Sequence, residues 1–379
     1  MNLEAKVIVG NNSHTIKNLA DKSIQTVVTS PPYFGLRDYG TKSWTGGDAD
    51  CTHIKDPSKT KMFGNDEFNK NRPSREATKL PGYYHESRCE LCGATEKDEQ
   101  IGLESTPKEF IEQLCLVFDE VWRVLKDDGT VWVNLGDTYA REAGKTAGVG
   151  RHWDGRESDP GGLHDKRPLA SEMGVKAKSL VGIPWRFAFA MQDRGWYLRQ
   201  DIIWAKPNPM PESVTDRCTK SHEYIFLLTK NSRYYYDNEA VREPIKETTN
   251  GKTGVRRSGD SKTRSREHWG VPHDPQNVIV EYDEIKGANK RSVWNVNTKP
   301  YKDAHFATYP PELITPCILA GSREGDTVLD PFSGSGTTGE VALQNGRNYI
   351  GLELNPEYAK LSERRLTEAV GMFGQVSVE

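Results

Sequence analysis

The sequence predicts an α/β fold in which a mostly parallel β-sheet is interrupted by two polar insertions. Short apolar runs alternate with helical patterns along the 379-residue chain, an order that is typical of parallel sheets. A glycine-rich segment at 333–339 lies between a predicted strand and a predicted helix, where open α/β sheets bind ligands. A second candidate binding point is the polar corner at 29–33, which ends another apolar run.

Seven apolar runs favour strands, because they are rich in β-branched or aromatic residues and are bounded by turn formers. These predicted strands lie at 6–10, 24–29, 130–135, 197–204, 222–228, 326–332 and 349–354. Apolar periodicity and capping signals predict helices between them. These helices lie at 13–19, 107–125, 180–191, 311–320 and 357–370, and a further one follows the glycine-rich segment.

The composition is that of a globular chain with a substantial core, since 35% of the residues are hydrophobic and 28% are charged. The net charge of −3 neither favours nor excludes a nucleic-acid partner, because an average hides local patches. Six cysteines in a chain of this length do not indicate a disulfide scaffold. No apolar run reaches the roughly 18 residues of a membrane span, and the start lacks a signal pattern. We therefore expect a cytoplasmic protein.

The corner at 29–33 displays an unusual set of rigid polar groups. Pro31 and Pro32 stop the preceding strand, because neither can donate to a ladder and both fix φ. The hydroxyl of Ser30, the carbonyl of Pro31 and the ring of Tyr33 are left at the carboxyl edge. Stiff acceptors beside a ring suit a flat group with an amino substituent, such as a nucleobase. A purely structural turn is the alternative.

A similar polar corner ends the strand at 130–135, where Asp137 follows Asn134 after two residues. Asp137 either faces the same sheet edge or stabilises the turn, and the sequence leaves both interpretations open.

The first insertion, at 34–104, is polar and too long for an ordinary loop of a compact domain. It contains a Cys-x-His pair and a Cys-x-x-Cys-Gly knuckle, and such ligands in two close pairs suit tetrahedral zinc. A bound ion would also stabilise a segment that has little core of its own. The predicted ligands of one structural zinc ion are Cys51, His53, Cys89 and Cys92. His85 is a rival fourth ligand, and reduced cysteines in a loop are the alternative.

The second insertion, at 238–292, contains a locally basic stretch. Between 241 and 270, eight Lys and Arg residues face four acidic ones, which leaves a surplus of four positive charges. Ser, Thr, Asn, His and Trp are interleaved, and these residue types make phosphate and base-edge contacts. A solvated charge run is the alternative. The predicted DNA-binding residues are Arg256, Arg257, Lys262, Arg264 and Arg266.

The glycine-rich segment follows a strand that ends in Asp330-Pro331-Phe332 and matches the G-x-G-x-x-G pattern. The next strand carries Glu353 at its tip, where a carboxylate can accept both ribose hydroxyls of a nucleotide-like cofactor. This pattern alone would suit NAD equally well. In such a dinucleotide site, the pyrophosphate of the cofactor would lie on the helix N-terminus.

Taken together, the two motifs resemble those of the DNA amino-methyltransferases, which use S-adenosylmethionine to methylate an exocyclic amine. Thr-Ser-Pro-Pro-Tyr at 29–33 is similar to the family's catalytic motif in its cytosine-N4 version. Asp-Pro-Phe-x-Gly-Ser-Gly-Thr-Thr at 330–338 is similar to its cofactor motif. The resemblance covers roughly 1–33, 105–235 and 293–370, and the two insertions lie outside it.

The resemblance implies a circularly permuted, Rossmann-like methyltransferase sheet of seven strands, of which the last is antiparallel. The catalytic motif precedes the recognition region and the cofactor motif comes last, which is the order called β in this family. The implied division is 1–33 and 105–237 for the catalytic half, 34–104 for the zinc-binding insertion, 238–292 for target recognition and 293–379 for the cofactor-binding half.

The resemblance also implies roles for individual residues. The catalytic residues would be Ser30, Pro31, Pro32 and Tyr33. The residues that bind S-adenosylmethionine would be Asn11, Phe306, Ala307, Thr308, Asp330, Phe332, Gly334, Ser335, Gly336, Thr337, Thr338 and Glu353. Asn11 departs from the family, which has an acid at this position, although an amide can still form hydrogen bonds. The segment at 213–223 resembles one near the family's target-base pocket, but Arg217 or His222 could equally be packing residues, so no chemistry is assigned there.

The implied function is methylation of an exocyclic amine on a flipped base in double-stranded DNA. Ser30 favours cytosine N4 over adenine N6. Two remote alternatives are methylation of a protein amide and DNA binding without catalysis. Double-stranded DNA is the expected partner, and a cognate restriction endonuclease is a candidate one.

Overall fold

A computed structural model of the chain describes residues 3–35, 39, 41–48, 50–53, 88, 89, 91–141, 170–244, 287–299, 309–371 and 374–379. Its strands are β1 (Glu4–Val9), β2 (Ile24–Thr29), β3 (Ser43–Thr45), β4 (Thr95–Lys97), β5 (Leu125–Leu135), β6 (Tyr197–Ala205), β7 (His222–Thr229), β8 (Val293–Asn295), β9 (Thr327–Asp330), β10 (Asn348–Glu353) and β11 (Gln375–Val378). Its α-helices are α1 (Asn12–Thr15), α2 (Pro107–Val124), α3 (Ala170–Met173), α4 (Ile183–Asp193), α5 (Pro311–Gly321), α6 (Thr337–Gln344) and α7 (Pro356–Val370).

Nine of the described strands form one mixed sheet in the order β11-β1-β10-β9-β2-β5-β7-β6-β8. The strands β1, β10, β9, β2 and β5 run parallel, whereas β7 is antiparallel to both of its neighbours. These five strands together with β6 and β7 are the seven that the sequence predicted, and the antiparallel last strand is confirmed. The edge strands β8 and β11 are additional, so the predicted count of seven is too low for the whole sheet.

The chain order of the sheet is permuted as expected. The strands β9 and β10 come late in the sequence, yet they lie between β1 and β2, which are consecutive along the chain. Parallel pairing places Val27 of β2 opposite Val131 of β5 and Leu329 of β9. The segments that follow these three strands therefore emerge at one edge of the sheet, which is where α/β proteins bind ligands.

Helices cover both faces of the sheet, because successive strand residues point to opposite sides. Val27 belongs to the hydrophobic cluster that includes α2 and α4, whereas Val28 belongs to the cluster that includes α5, α6 and α7. A capping box formed by Thr106 and Glu109 begins α2, and proline occupies its first position. Within the described residues, no helix is both long enough and apolar enough to cross a membrane.

The helix α4 offers a matched test of this packing. Phe187 is fully buried and contacts Phe118 of α2 edge-on at a centroid distance of 5.1 Å, whereas Phe189 of the same helix is 55% exposed. We expect Phe187→Ala to lower the free energy of unfolding by about 3–5 kcal/mol, because it leaves a cavity between α2 and the sheet. Phe189→Ala should change it by only about 0.5 kcal/mol. Urea unfolding of both variants checks this, and equal losses would contradict the packing.

Candidate active site and metal centre

A cavity of about 270 Å³ lies at the carboxyl edge of the central strands. Its lining includes all four predicted catalytic residues, Ser30, Pro31, Pro32 and Tyr33. It also includes seven of the predicted cofactor-binding residues, namely Asn11, Asp330, Phe332, Gly334, Ser335, Thr337 and Glu353. The structure thus brings together two motifs that lie about three hundred residues apart in the chain, as the contact of Thr29 with Asp330 shows (a separation of 301).

Two other residues of the predicted cofactor loop are described but do not line this cavity. Gly336 has φ of +78°, and a Cβ there would lie 2.3 Å from Oγ of Ser362, so it permits close packing of α6 on α7. Thr338 is fully buried, and its hydroxyl donates to Asp330 at 2.5 Å. Both residues support the conformation of the loop without lining the cavity.

Asp330, the last residue of β9, is 1% exposed, and its carboxylate faces Thr29 of β2. Its Oδ1 accepts from Oγ1 of Thr29 at 2.6 Å and from the backbone N–H of Phe332 at 3.0 Å. Its Oδ2 accepts from Thr338 at 2.5 Å and from the hydroxyl of Tyr309 at 3.2 Å. Burial raises the pKa of Asp330, although the four donors oppose that shift. The chain therefore already supplies four donors to this group, which makes it a centre of the local structure.

The carboxylate of Glu353 is held at the tip of β10. The backbone N–H of Gly334 donates to its Oε2 at 2.7 Å, and the N–H of Asn355 donates to its Oε1 at 2.8 Å. Burial raises the pKa of Glu353 to about 7, and these hydrogen bonds partly offset the shift. The side chain is thus fixed beside the glycine-rich loop and ionises near neutral pH.

The Ser-Pro-Pro-Tyr corner contacts residues from β5 and β7. The hydroxyl of Tyr33 lies 2.6 Å from Oε2 of Glu223 and 3.1 Å from Oδ1 of Asn134. Oγ of Ser30 lies 3.3 Å from the same Oδ1. Lys206 forms an ion pair with Glu223 inside the cavity wall. Burial, followed by the Glu223 charge, raises the pKa of Tyr33 well above its usual value, so the phenol remains a donor.

Sequence reasoning assigned no role to Asn134, Glu223 or Lys206, all of which line the cavity. The available signal was the polar corner that ends β5. Asn134 of this corner lines the cavity, whereas Asp137 does not. The carboxylate of Asp137 instead accepts from the backbone N–H groups of Gly182 and Ile183 at 2.9–3.0 Å and holds the start of α4. The turn-stabilising interpretation of Asp137 is therefore the one that the structure supports.

The edges of the first insertion also contribute to the cavity. Their lining residues are Tyr39, Thr41, Glu99, Gln100 and Ile101. Asn11 connects this edge to the sheet, because its Nδ2 donates to Glu99 at 3.1 Å while its Oδ1 accepts from the N–H of Ser13 at the start of α1. The amide thus lines the cavity even though it replaces the family's acid.

Within the described part of the insertion, Cys51, His53, Cys89 and Cys92 place their ligand atoms within 4.8 Å of one another. Zn–S bonds of about 2.3 Å at tetrahedral angles would separate two sulfurs by about 3.8 Å. The Sγ atoms of Cys51 and Cys89 are 3.7 Å apart. Sγ of Cys92 is 3.4 Å from Nδ1 of His53, close to the separation of about 3.6 Å expected for a Zn-bound sulfur and nitrogen. The four residues can hold zinc.

Local structure explains why these ligands converge. The antiparallel pairing of β3 with β4 brings the two halves of the set together. The N–H of Gly93 donates to the carbonyl of Cys89 at 2.9 Å and closes the knuckle, which needs the positive φ of that glycine. The ring of His53 stacks on Trp44 with 5.0 Å between centroids.

Several predicted residues lie outside the described part of the chain. They are the rival ligand His85, the cofactor-associated residues Phe306, Ala307 and Thr308, and the DNA-binding residues Arg256, Arg257, Lys262, Arg264 and Arg266.

A Rossmann-like methyltransferase is the class of protein that these features define. The sheet has the permuted order and the antiparallel strand, and the glycine-rich loop and the Ser-Pro-Pro-Tyr corner meet at its carboxyl edge. The sequence profile of the N6/N4 DNA methylase family matches residues 24–364. The chain belongs to this family of DNA methylases, as the resemblance predicted.

Individual relatives agree with this assignment. The chain is 40% identical over 362 residues to the type II methyltransferase M.Cfr9I of Citrobacter freundii, covering 96% of this chain and 87% of that protein. It is 39% identical to the type II methyltransferase M.SmaI of Serratia marcescens, covering 95% and 90%. The fold is similar to that of the cytosine-N4-specific PvuII DNA methyltransferase, with a TM-score of 0.53 and 16% identity over 97% of this chain and 88% of that one.

The metal centre can be tested by elemental analysis of the purified protein. We expect about one zinc ion per chain, and Cys89→Ser should lower that ratio severalfold, because it removes a buried thiolate ligand. The matched control is Cys218→Ser, since Cys218 is exposed and lies outside the cluster. Freshly purified wild-type protein without stoichiometric zinc would contradict the assignment.

Proposed function

We propose that this protein methylates an exocyclic amine of a flipped base in double-stranded DNA, with S-adenosylmethionine as methyl donor and cytosine N4 as target. Family membership supports the reaction class. One structural observation supports the site: Ser30 and Pro31 line the same cavity as the glycine-rich loop and Glu353. Adenine N6 methylation, which needs the same geometry, is the second candidate.

The cavity residues fit the proposed cofactor. Glu353 is positioned to accept the ribose hydroxyls, and Phe332 offers an apolar surface beside it. Asp330 and Glu353 place two carboxyl groups along the wall, which suits a molecule with a cationic sulfonium and an ammonium group. When bound, S-adenosylmethionine would supply an electrophilic methyl group.

The corner after β2 suits the amine that accepts this methyl group. The exocyclic nitrogen is a poor nucleophile, because its lone pair is delocalised into the ring. Ser30 Oγ and the Pro31 carbonyl would accept its two N–H bonds and favour a pyramidal nitrogen, while Tyr33 would stack on the base. Positioning contributes up to about 7–11 kcal/mol in favourable systems, so a strong base is not required. The base must leave the duplex to reach this corner.

The choice of base rests on Ser30. A hydroxyl rather than a carboxylate at this position favours cytosine N4, because the motif then has the form of the cytosine-N4 branch. The motif holds no cysteine nucleophile of the kind that methylation of a ring carbon would need.

DNA contacts and partners extend this proposal beyond the cavity. We propose that the basic residues at 256–266 contact DNA within a target-recognition region at 238–292, on the strength of their charge and residue types. The division of the chain into catalytic and cofactor-binding halves belongs to the same proposal. Because the relatives are type II methyltransferases, a cognate restriction endonuclease is a proposed biological partner.

Incubation of the protein with unmethylated DNA and labelled S-adenosylmethionine, followed by nucleoside mass spectrometry, tests the function. We expect N4-methylcytosine. N6-methyladenine would retain the reaction but overturn the choice of base. Unmodified DNA, from protein that binds the cofactor, would overturn DNA methylation itself.

The ionisation of Glu353 predicts a pH-dependent cofactor affinity. The pKa of the buried carboxyl is raised to about 7, so it is mostly protonated at pH 6 and mostly ionised at pH 8. Because the ionised form is the better acceptor for ribose hydroxyls, affinity should rise about tenfold over this range. The same raised pKa means that Glu353 stabilises the free protein at low pH and that this contribution is lost as pH rises through 7.

Isothermal titration at several pH values checks this affinity change. Glu353→Gln should bind more weakly, and the ratio of the two affinities removes the titration of the cofactor's own amino group. Glu357→Gln, at an exposed position in the first turn of α7, serves as the control and should follow wild type. A ratio that does not change with pH would exclude Glu353 from ribose binding.

A further inference from the structure

We propose that Asn134 is a positioning residue that turns the proton of Ser30 away from the target base. Its amide is held in one orientation by Glu223 and by the carbonyl of Tyr224, and Lys206 in turn holds Glu223. The lone pairs of Ser30 are thereby left for the exocyclic amine. This inference rests on the proposed function and deepens it, because it explains how a hydroxyl can act at this position as an acceptor.

The orientation of the Asn134 amide follows from its neighbours. The side chain is 3% exposed, so its groups need partners within the protein. Nδ2 lies 3.2 Å from Oε2 of Glu223 and 3.1 Å from the carbonyl oxygen of Tyr224, and both of these atoms are acceptors. A flipped amide would place Oδ1 against these two oxygens. Oδ1 must therefore face the hydroxyls of Ser30 and Tyr33.

Glu223 is itself held in place. The Glu223 side chain is 13% exposed and that of Lys206 is 18% exposed, and the two form an ion pair. The Lys206 ammonium also lies 4.2 Å from the ring centroid of Trp204, which limits its movement. The hydroxyl of Tyr33 and Nδ2 of Asn134 both donate a hydrogen bond to Oε2 of Glu223. A single carboxylate thus orients both the amide and the aromatic ring of the corner.

The direction of the Ser30 proton matters for the chemistry. A hydroxyl has one donor and two acceptor lone pairs, whereas a carboxylate can only accept. If Ser30 donated to the base, it would bond the amine's lone pair, which is needed for attack on the methyl group. With Asn134 as acceptor, both lone pairs of Oγ face the cavity. The separation of 3.3 Å is long for such a bond, and catalytic hydrogen bonds are often long before substrate binds.

A double-mutant cycle between Ser30 and Asn134 tests this dependence. We expect Asn134→Ala to lower the single-turnover methylation rate about 10- to 100-fold, the effect of misdirecting one hydrogen bond at a buried site. In a Ser30→Ala background, Asn134→Ala should lower the rate less than about twofold, because the hydroxyl that Asn134 orients is absent. Cofactor affinity should remain within about twofold of wild type in all variants, since neither side chain is assigned to the cofactor.

The controls separate a positioning role from a structural one. Asn231→Ala removes an amide that donates to the carbonyl of Asp127 at the opposite end of β5, and it should leave the rate unchanged. If Asn134→Ala does not fold, Glu223→Gln replaces it, since it keeps the shape of the side chain and frees the amide to turn. The inference would be overturned if the rate losses of Ser30→Ala and Asn134→Ala multiplied fully in the variant that carries both substitutions. Absence of methylation by wild type would instead overturn the proposed function.

Discussion

Parallel pairing of β2 with β5 on one side and β9 on the other determines where the Ser-Pro-Pro-Tyr corner and the glycine-rich loop lie. The three strands end at the same edge, and each continues into a segment that cannot extend it. Prolines follow β2, a glycine loop follows β9, and Gly136 follows β5 beneath the ring of Tyr33. A Cβ on Gly136 would lie 2.5 Å from that ring, so the close approach requires glycine. The cavity exists because three strands stop together.

The buried carboxylate of Asp330 connects the two ends of the chain at this edge. Burying a charged group is unfavourable unless hydrogen bonds replace its hydration. Here Thr29 donates from β2, while Thr338 donates from α6 and Tyr309 from the segment before α5. The interaction therefore holds the Ser-Pro-Pro-Tyr corner and the glycine-rich loop in one relative position. The proposed methyl transfer would need such a fixed arrangement, because a misplacement of about 1 Å between reacting groups slows a reaction strongly.

The first insertion is part of this arrangement as well. Its paired strands β3 and β4 flank the cysteine and histidine ligands, and its edges contact Asn11 and Asn355 next to the sheet. Nδ2 of Asn355 donates to the carbonyl of Tyr39 at 3.2 Å, next to the tip of β10. A metal held by these four ligands would therefore also stabilise one wall of the cavity.

The sequence by itself determined the seven core strands, the corner, the glycine-rich loop and the four zinc-ligand candidates, because each of these is a local pattern of periodicity or spacing. The edge strands β8 and β11 were not predicted from the sequence, because segments of three or four residues are too short to show a hydrophobic period. Only the tertiary structure decided that Asn134, Glu223 and Lys206 complete the corner. Each is a single polar residue near a strand end, and its neighbours depend on the register between β5, β6 and β7. That register arises from long-range packing, so no local spacing in the chain records it.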